Sequence, residues 1–493
     1  MTSVTRQYKL DELIRSSNFI DGRWTEAADG ARFAVTDPAT GKTITEVADS
    51  GPADAHAATD AAARAFPAWR GKLPGERAKI LHQWHALILA NQDTLGALIS
   101  LEQGKPLAEG KGEVAYGASY VAWFADEATR IYGDIIPQQQ RGKRMTAIKE
   151  PVGIVAAITP WNFPLAMIAR KIAPALAAGC TVIAKPAEDT PLTALALVLL
   201  AHEAGVPAGV LNLITASREK AVGTVADWLE DARVRKITFT GSTPVGKYLA
   251  RESAGTLKKL SLELGGNAPF IVFDDADLDA AITGLLASKF RNGGQTCVSP
   301  NRVYVQSGIY EKFADKLSER VGALKVAPAT DPAAQIGPMI NGRALDKMAR
   351  HVDDAIAHGA RVLTGGKRLP ELGPNYFAPT VLADASADMQ LSCEETFGPV
   401  VPLFRFDEEA EAITAANDTP FGLAAYFYSQ DVRRIDRVSR ALEAGIVGIN
   451  EGAISSEAAP FGGVKESGYG REGSKYGLDD YLSIKYLCQG GLE

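Results

Sequence analysis

Five short apolar runs rich in β-branched residues, each followed by a helical stretch, organise the middle of the chain. They span residues 152–158, 181–184, 210–214, 236–240 and 258–263. Continuous apolar strands that alternate with helices form a parallel sheet covered by helices on both faces. Such doubly wound sheets bind ligands outside the carboxyl ends of their strands. We therefore expect functional side chains in the loops that follow these runs.

A second strand–helix alternation follows, from residue 267 to about residue 470. A length of 493 residues exceeds what one hydrophobic core supports. The fold class predicted is α/β, with two doubly wound domains. Between the early helices and the first sheet, residues 133–150 alternate around a polar middle, which favours an extended hairpin that serves assembly. The last strand pattern, residues 481–488, could pair with this arm.

Charge and composition exclude several classes of partner. A net charge of −7 without a Lys/Arg-rich run argues against nucleic acid. The first 24 residues lack the apolar core of an export signal, and the most apolar run, 194–201, is too short to span a bilayer. The four cysteines are far apart, so we expect neither a disulfide framework nor a metal site. The sequence indicates a cytoplasmic protein with no membrane partner.

Cys297 is a candidate nucleophile because of its position after a glycine turn. The apolar spacing of residues 277–291 predicts a helix that stops at Gly293-Gly294. A thiol just beyond such a turn is held by the backbone and is not needed for packing. A lone cysteine is more often a small buried hydrophobe, so this interpretation depends on the rest of the chain.

Polar residues follow the predicted strands where ligands should bind. Asn162 lies in a stiff turn after the first strand, and Lys185 and Glu188 share the loop after the second. A carboxylate there suits the paired hydroxyls of an adenosine ribose and would repel a 2′-phosphate. After the fourth strand, Gly241 to Gly246 open a helix whose N-terminus can face a pyrophosphate. Glu263 follows the fifth strand beside two glycines and could equally be a structural acid.

Seven motifs occur together in order: PWNFP at 160–164, KPAE at 185–188, FTGST at 239–243, LELGG at 262–266, GQTC at 294–297, EETFGP at 394–399 and PFGG at 460–463. Through them the chain resembles the NAD(P)-dependent aldehyde dehydrogenase superfamily along its whole length, and most resembles the succinate-semialdehyde dehydrogenases. The resemblance implies a Rossmann-like NAD-binding domain (1–132 and 152–262), a catalytic domain (263–470) and an oligomerisation arm (133–151 and 471–493) of a homodimer or homotetramer.

The resemblance also implies roles in catalysis. Cys297 would attack the aldehyde carbon, and the Asn162 amide with the Cys297 N–H would stabilise the oxyanion. After hydride transfer, Glu263 would act as the base that hydrolyses the thioester. The expected cofactor is NAD rather than NADP because of Glu188, and the implied cofactor-binding residues are Thr159, Pro160, Trp161, Lys185, Glu188, Gly241, Ser242, Gly246, Leu264, Glu395 and Phe397.

The substrate is expected to be a small aldehyde with a distal carboxylate. Arg170 lies two helical turns past Phe163, and Arg291 lies six residues before Cys297, so two guanidinium groups could approach the thiol. The resemblance assigns carboxylate binding to Arg170, Arg291 and Ser455; the alternative is that either arginine forms a structural ion pair.

One residue departs from the pattern of the subfamily. Ser299 stands where these relatives often have a second cysteine, which opens the alternatives of glutarate semialdehyde, 2-oxoglutarate semialdehyde or general aldehydes as substrates. A CoA-acylating enzyme would not need Glu263, and a purely structural protein would not need Cys297.

Overall fold

The computed structural model describes residues 6–492, so the first five residues of the predicted cofactor domain and residue 493 of the predicted arm lie outside the described part. The N-terminal region forms two small strand pairs and a helical layer. Its strands are β1 (Asn18–Ile20), β2 (Arg23–Thr25), β3 (Arg32–Thr36) and β4 (Thr43–Ala48). Its helices are α1 (Leu10–Leu13), α2 (Pro52–Arg70), α3 (Pro74–Ala90), α4 (Gln92–Gln103) and α5 (Leu107–Glu127).

The first large sheet has the five predicted parallel strands at its centre. The elements that follow α5 are β5 (Asp134–Ile136), β6 (Arg144–Pro151), β7 (Ile154–Ile158), β8 (Thr181–Lys185), β9 (Leu211–Leu213), β10 (Val234–Thr240) and β11 (Lys259–Glu263), with α6 (Ala166–Ala178), α7 (Leu192–Glu203), α8 (Arg218–Glu230) and α9 (Thr243–Ser253). The parallel order is β11-β10-β7-β8-β9, and β1 and β2 extend it beyond β9. The carboxyl ends of β7, β8, β10 and β11 therefore lie at one edge.

The second large sheet confirms the prediction of a second α/β domain. Its strands are β12 (Ala268–Val272), β13 (Pro300–Gln306), β14 (Arg361–Thr364), β15 (Thr380–Ala383), β16 (Val400–Phe406), β17 (Ala424–Tyr428) and β18 (Ile446–Ile449). Its helices are α10 (Leu278–Lys289), α11 (Tyr310–Gly322), α12 (Gly342–Ala357), α13 (Gln390–Cys393), α14 (Glu409–Asn417) and α15 (Val432–Ala441). The order is β14-β15-β16-β13-β12-β17-β18, and only β14 within this order is antiparallel.

A three-stranded sheet forms the arm, as the alternating pattern predicts. The C-terminal strand β20 (Leu482–Gln489) pairs antiparallel with β6 along its whole length, and β5 completes the sheet. Ile135 and Ile484 on this arm are 88% and 75% exposed. Among residues 6–492, no helix combines the length and the apolarity needed to cross a membrane.

The C-terminal segment before β20 does not belong to the arm, although the sequence analysis places residues 471–493 there. Strand β19 (Gly468–Tyr469) pairs with β11 of the first sheet. Glu472 is buried against Arg170 and Lys171 of α6. An acidic side chain next to two buried cations is held in the interior, so the C-terminal part of the arm begins at Leu482.

Candidate active site

The loop that carries Cys297 is fixed by a left-handed turn. Helix α10 ends at Lys289, four residues before the Gly293-Gly294 pair at which it was expected to stop, and a short turn spans Arg291–Gly294. Asn292, Gly293 and Gly294 have φ of 51°, 60° and 79°. A Cβ on Gly294 would lie 2.2 Å from the carbonyl oxygen of Gly398. The turn therefore needs glycine at 294 and presents Cys297 partly exposed beyond it.

A pocket of about 370 Å³ lies over the thiol and collects five predicted residues. Its lining residues are Tyr116, Asn162, Phe163, Met167, Arg170, Thr240, Arg291, Thr296, Cys297, Val298, Ser455 and Phe461. These include the predicted nucleophile, the predicted amide donor and all three residues expected to bind a carboxylate. Residues of both α/β domains thus meet around one thiol.

The surroundings of Cys297 favour the protonated form of its thiol. Burial, followed by the nearby charges of Glu395 and Glu263, raises the pKa of Cys297 to about 12, and Arg170 opposes this shift only in part. Since the thiolate is the nucleophilic form, the reaction requires that a proton leave the sulfur. The Cys297 backbone N–H hydrogen-bonds its own sulfur, which favours the thiolate.

Asn162 can donate a hydrogen bond into the pocket. Its Nδ2 donates one hydrogen to the carbonyl oxygen of Gln295 at 3.0 Å. An amide nitrogen carries two hydrogens, so the second is available for an oxyanion that develops near Cys297. The Asn162 Oδ1 is buried and has no hydrogen-bond partner in the described part of the chain.

Glu263, at the end of β11, is a buried acid that receives no hydrogen bond from residues 6–492. The residue is 2% exposed, and neither carboxyl oxygen has a partner among residues 6–492. Burial and the charge of Glu472 raise the pKa of Glu263 well above its ordinary value, whereas Arg170 and Lys171 oppose the shift. A Cβ on Gly462 would lie 2.9 Å from Glu263 Oε1, so glycine leaves room beside the carboxyl. A carboxyl with a raised pKa suits a general base.

Glu472 is a site residue that the sequence analysis missed. Its Oε2 lies 2.5 Å from Arg170 Nε, and its Oε1 accepts a hydrogen bond from Lys171. Burial opposes ionisation of Glu472, but the two cations outweigh it and hold its pKa below the ordinary value. The sequence signal was available, because two adjacent cations in the otherwise apolar helix α6 require a buried acidic partner.

The two pocket arginines differ in their surroundings. Arg170 is paired with Glu472 and stacks on Phe461, with its Cζ 4.2 Å from the ring centroid. Its Nη1 and Nη2 are buried and have no partner in the described chain. Arg291 forms no ion pair within residues 6–492, and its Cζ lies 4.7 Å from the ring centroid of Phe163. Arg291 is therefore not held in a close ion pair as Arg170 is, although its charge interacts with that of the buried Glu109.

The edge of the first sheet has polar groups without partners in the described chain where the resemblance predicts a dinucleotide. The Thr159 Oγ1 is buried without a partner in the described residues, and the buried Lys185 ammonium donates only to the neighbouring Pro186 carbonyl, at 3.1 Å. Helix α9 begins after Gly241 and the exposed Ser242. A Cβ on Gly246 would lie 2.4 Å from Leu264, so this helix packs closely behind the edge. Free donors and a helix N-terminus are what phosphate and ribose groups require.

The second domain contributes Glu395 and Phe397 to the same cleft. Glu395 Oε1 accepts a hydrogen bond from the Gly266 N–H at 3.2 Å, and burial raises the pKa of Glu395 to about 7. The Phe397 ring contacts Trp161 edge to face, with centroids 5.5 Å apart. Pro160 lies beside Trp161 in the same partly exposed turn. Glu395 and Phe397 of the second domain thus contact residues of the first domain or of the segment that joins the domains, and the role of the implied cofactor residues stays a prediction.

Comparison with known proteins gives close, full-length relatives. The chain is 56% identical over 479 residues to succinate-semialdehyde dehydrogenase [NADP(+)] GabD of Escherichia coli, covering 97% of this chain and 98% of that protein. It is 54% identical over 482 residues to glutarate-semialdehyde dehydrogenase of Pseudomonas putida, covering 98% and 99%. The crystal structure of an E. coli NADP-dependent enzyme matches with a TM-score of 0.95 at 55% identity, covering 97% and 99%.

The cofactor prediction based on Glu188 is wrong. Both E. coli relatives are named as NADP-dependent, so the preference for NAD over NADP does not stand. In the structure, positively charged side chains lie near the two acids of the loop after β8. The charge of Lys185 faces Glu188 and Asp189, and Arg218 and Arg343 also act on Asp189. Of these cations, Lys185 is the one whose charge interacts with Glu188, while the two arginines act on Asp189.

The whole-length resemblance carried by the seven motifs is confirmed. A family model described as "Aldehyde dehydrogenase family" matches residues 24–487, which include the five parallel strands of the first large sheet, the whole second sheet and most of the arm. The match includes Cys297, Asn162 and Glu263 with the rest of the pocket. The chain belongs to the aldehyde dehydrogenase family of oxidoreductases.

Proposed function

We propose that this chain oxidises succinate semialdehyde to succinate, with Cys297 as the nucleophile and a nicotinamide dinucleotide as the hydride acceptor. The observation that carries the proposal is the position of Arg291. Its guanidinium lines the pocket that contains Cys297 and forms no ion pair in the described chain. A semialdehyde has a reactive carbonyl at one end and a carboxylate at the other, which matches a thiol and an arginine in one pocket.

The side chains of the pocket divide the reaction between them. The Cys297 thiol transfers its proton to solvent water, and the sulfur attacks the aldehyde carbon. The carbonyl oxygen becomes an oxyanion near the second Asn162 Nδ2 hydrogen. A bound nicotinamide dinucleotide supplies the acceptor for the hydride that leaves this carbon. Glu263 then removes a proton from water, and the hydroxide displaces Cys297 from the thioester to give the acid.

The charge around Arg170 supports a second contact to the carboxylate. Arg170 and Lys171 face Glu472, while the raised pKa of Glu263 favours its neutral form. A substrate carboxylate would compensate the remaining positive charge at the unpartnered Nη groups of Arg170. Ser455 lies in the same pocket and can donate its hydroxyl.

Glutarate semialdehyde is the second candidate substrate. It has the same two functional groups with one more methylene, and a glutarate-semialdehyde dehydrogenase is 54% identical to this chain. A single methylene changes selectivity by only about 10- to 200-fold. The ratio of kcat/KM for the two semialdehydes decides between these candidates, and 2-oxoglutarate semialdehyde belongs in the same series.

Replacing Arg291 with leucine tests the carboxylate site. We expect kcat/KM for succinate semialdehyde to fall by about 10- to 100-fold relative to butanal, since a hydrogen bond to a charged group contributes about 1.5–3 kcal/mol. Steady-state kinetics on both aldehydes measure the ratio. Arg320→Leu, which removes an exposed arginine of α11, is the matched control and should leave the ratio unchanged. Equal losses on both substrates would assign Arg291 a structural role and favour a general aldehyde dehydrogenase.

We propose further that the arm joins copies of the chain into a homodimer or homotetramer. Its exposed apolar residues include Ile135 and Ile484 at 88% and 75% exposure. Ile484→Asp should shift the sedimentation coefficient of the protein towards that of the monomer, because a charge on an apolar interface is not compensated. Leu257→Asp is the control, since Leu257 is 87% exposed but lies away from the arm. A monomeric parent protein would refute the proposal.

A further inference from the structure

A buried ion pair lies behind the pocket without lining it. Lys105, between α4 and α5, places its Nζ 2.6 Å from Glu113 Oε2, and both residues are 2% exposed. Glu113 Oε1 in turn accepts hydrogen bonds from the N–H groups of Leu165 and Ala166, at 2.8 and 3.2 Å. The pair therefore fixes the start of α6, directly after the turn that contains Asn162.

Lys105 also contacts that turn directly. Its Nζ donates a hydrogen bond to the backbone carbonyl oxygen of Asn162 at 2.8 Å. The same ammonium lies 4.0 Å from the ring centroid of Phe163, and the guanidinium of Arg291 lies 4.7 Å from that centroid. The consecutive residues Asn162 and Phe163 thus both contact the Lys105 ammonium group. Asn162 is the proposed donor to the oxyanion, and the Phe163 ring packs against Arg291, the proposed ligand of the carboxylate.

The nucleophile turn is joined to the same cluster. The Asn292 Nδ2 donates to the Asn162 carbonyl oxygen at 2.9 Å, next to the Lys105 contact. The Asn292 N–H donates to Glu109 Oε2 at 2.8 Å, and Glu109 belongs to α5. Residues 105–113 therefore hold both the amide donor and the turn that precedes Cys297.

We propose that Lys105, held by Glu113, is a positioning residue that sets Asn162 for the oxyanion and, through the Phe163 ring, Arg291 for the substrate carboxylate. The part concerning Arg291 rests on the proposed function; the part concerning Asn162 requires only aldehyde oxidation. A buried ion pair is expensive to form and is often no more stable than an apolar pair of equal volume. The contacts of this ion pair can instead fix the positions of Asn162 and Phe163 at the pocket.

The test compares three variants of the full chain. Lys105→Met removes the ammonium at similar length, and Lys105→Met/Glu113→Gln also removes the carboxylate that would otherwise stay buried and unpaired. Lys258→Met is the control, because Lys258 is a buried lysine that donates to the carbonyls of Asp231 and Val234, at the opposite end of β11 from Glu263. Activities are expressed per titrated Cys297 thiol, counted as alkylation of the Cys297 peptide by iodoacetamide that bound cofactor and aldehyde prevent. The exposed Cys393 and Cys488 and any misfolded protein are not protected in this way and therefore do not count.

For the double variant we expect kcat per titrated thiol to fall by about 10- to 100-fold on succinate semialdehyde and on butanal, since a small misplacement of a catalytic group has effects of this size. The preference for the semialdehyde over butanal should fall as well. The cofactor dissociation constant, measured by tryptophan fluorescence, should stay unchanged. The control should keep the kinetics of the parent.

A double variant with the kcat of the parent per titrated thiol on both aldehydes would overturn the proposal, whatever its thermal stability. If kcat falls while the preference for the semialdehyde over butanal is unchanged, Lys105 positions Asn162 but does not position Arg291. If the parent itself prefers butanal, the proposed substrate fails, while the kcat on butanal still tests the Asn162 part. The two failures are therefore distinguishable.

Discussion

Replacing Cys297 with alanine is expected to lower kcat by at least about 10⁴-fold, because the covalent route is lost with the sulfur. Cofactor binding should persist, since Thr159, Lys185 and the start of α9 lie on the first sheet. Measurement of NAD(P)H formation and of cofactor-induced fluorescence quenching separates the two effects. Replacement of the exposed Cys393 by alanine is the matched control and should retain full activity. Residual turnover in Cys297→Ala near that of the parent would exclude the thioester mechanism.

The raised pKa of Cys297 also predicts how the rate of its alkylation depends on pH. Because the pKa of Cys297 is raised to about 12, mainly by burial, the thiolate fraction of the cofactor-free protein should increase as the pH rises towards that value. The rate of alkylation by iodoacetamide should grow by about tenfold per pH unit between neutrality and pH 9. A plateau near neutral pH would show instead that the thiolate is already formed in the resting pocket.

Replacing Glu263 with glutamine should lower kcat by about 10²- to 10⁴-fold, the range for loss of a general base. Acylation of Cys297 should survive, so a rapid burst of NAD(P)H, no larger than the titrated thiol, should precede the slow phase. The pKa of Glu263 is raised, so the parent kcat should increase as the pH rises through that pKa and the base form appears. The variant should lose this dependence.

Glu102→Gln is the matched control for Glu263. Glu102 is also a buried acid, with its pKa raised to about 8 by burial, but it accepts hydrogen bonds from the N–H groups of Leu192 and Thr193 at the start of α7. Its replacement should leave kcat and the burst unchanged. Loss of the burst in Glu263→Gln would place Glu263 before thioester formation and contradict its role in hydrolysis.

The order of the helices and strands could be predicted because the spacing of apolar residues within each segment indicates its type. The five runs that end at 263 became β7 to β11, and the alternating segments became the arm. The motifs contain Asn162 and Cys297 of the pocket, whereas Arg170, Arg291 and Ser455 came from helical spacing and from the resemblance to the subfamily. Glu188 misled the cofactor prediction, because one carboxylate in a loop does not by itself decide between NAD and NADP.

The sequence by itself determined the family, the α/β architecture and the identity of the candidate nucleophile. Only the tertiary structure decided which charges meet. Lys171 and Glu472 are 301 positions apart, yet they form one buried cluster beside Glu263. Likewise Lys105 reaches the Asn162 carbonyl across 57 positions. Burial and charge act through space and not along the chain, so the raised pKa values of Cys297 and Glu263 appear only once the two domains are packed together.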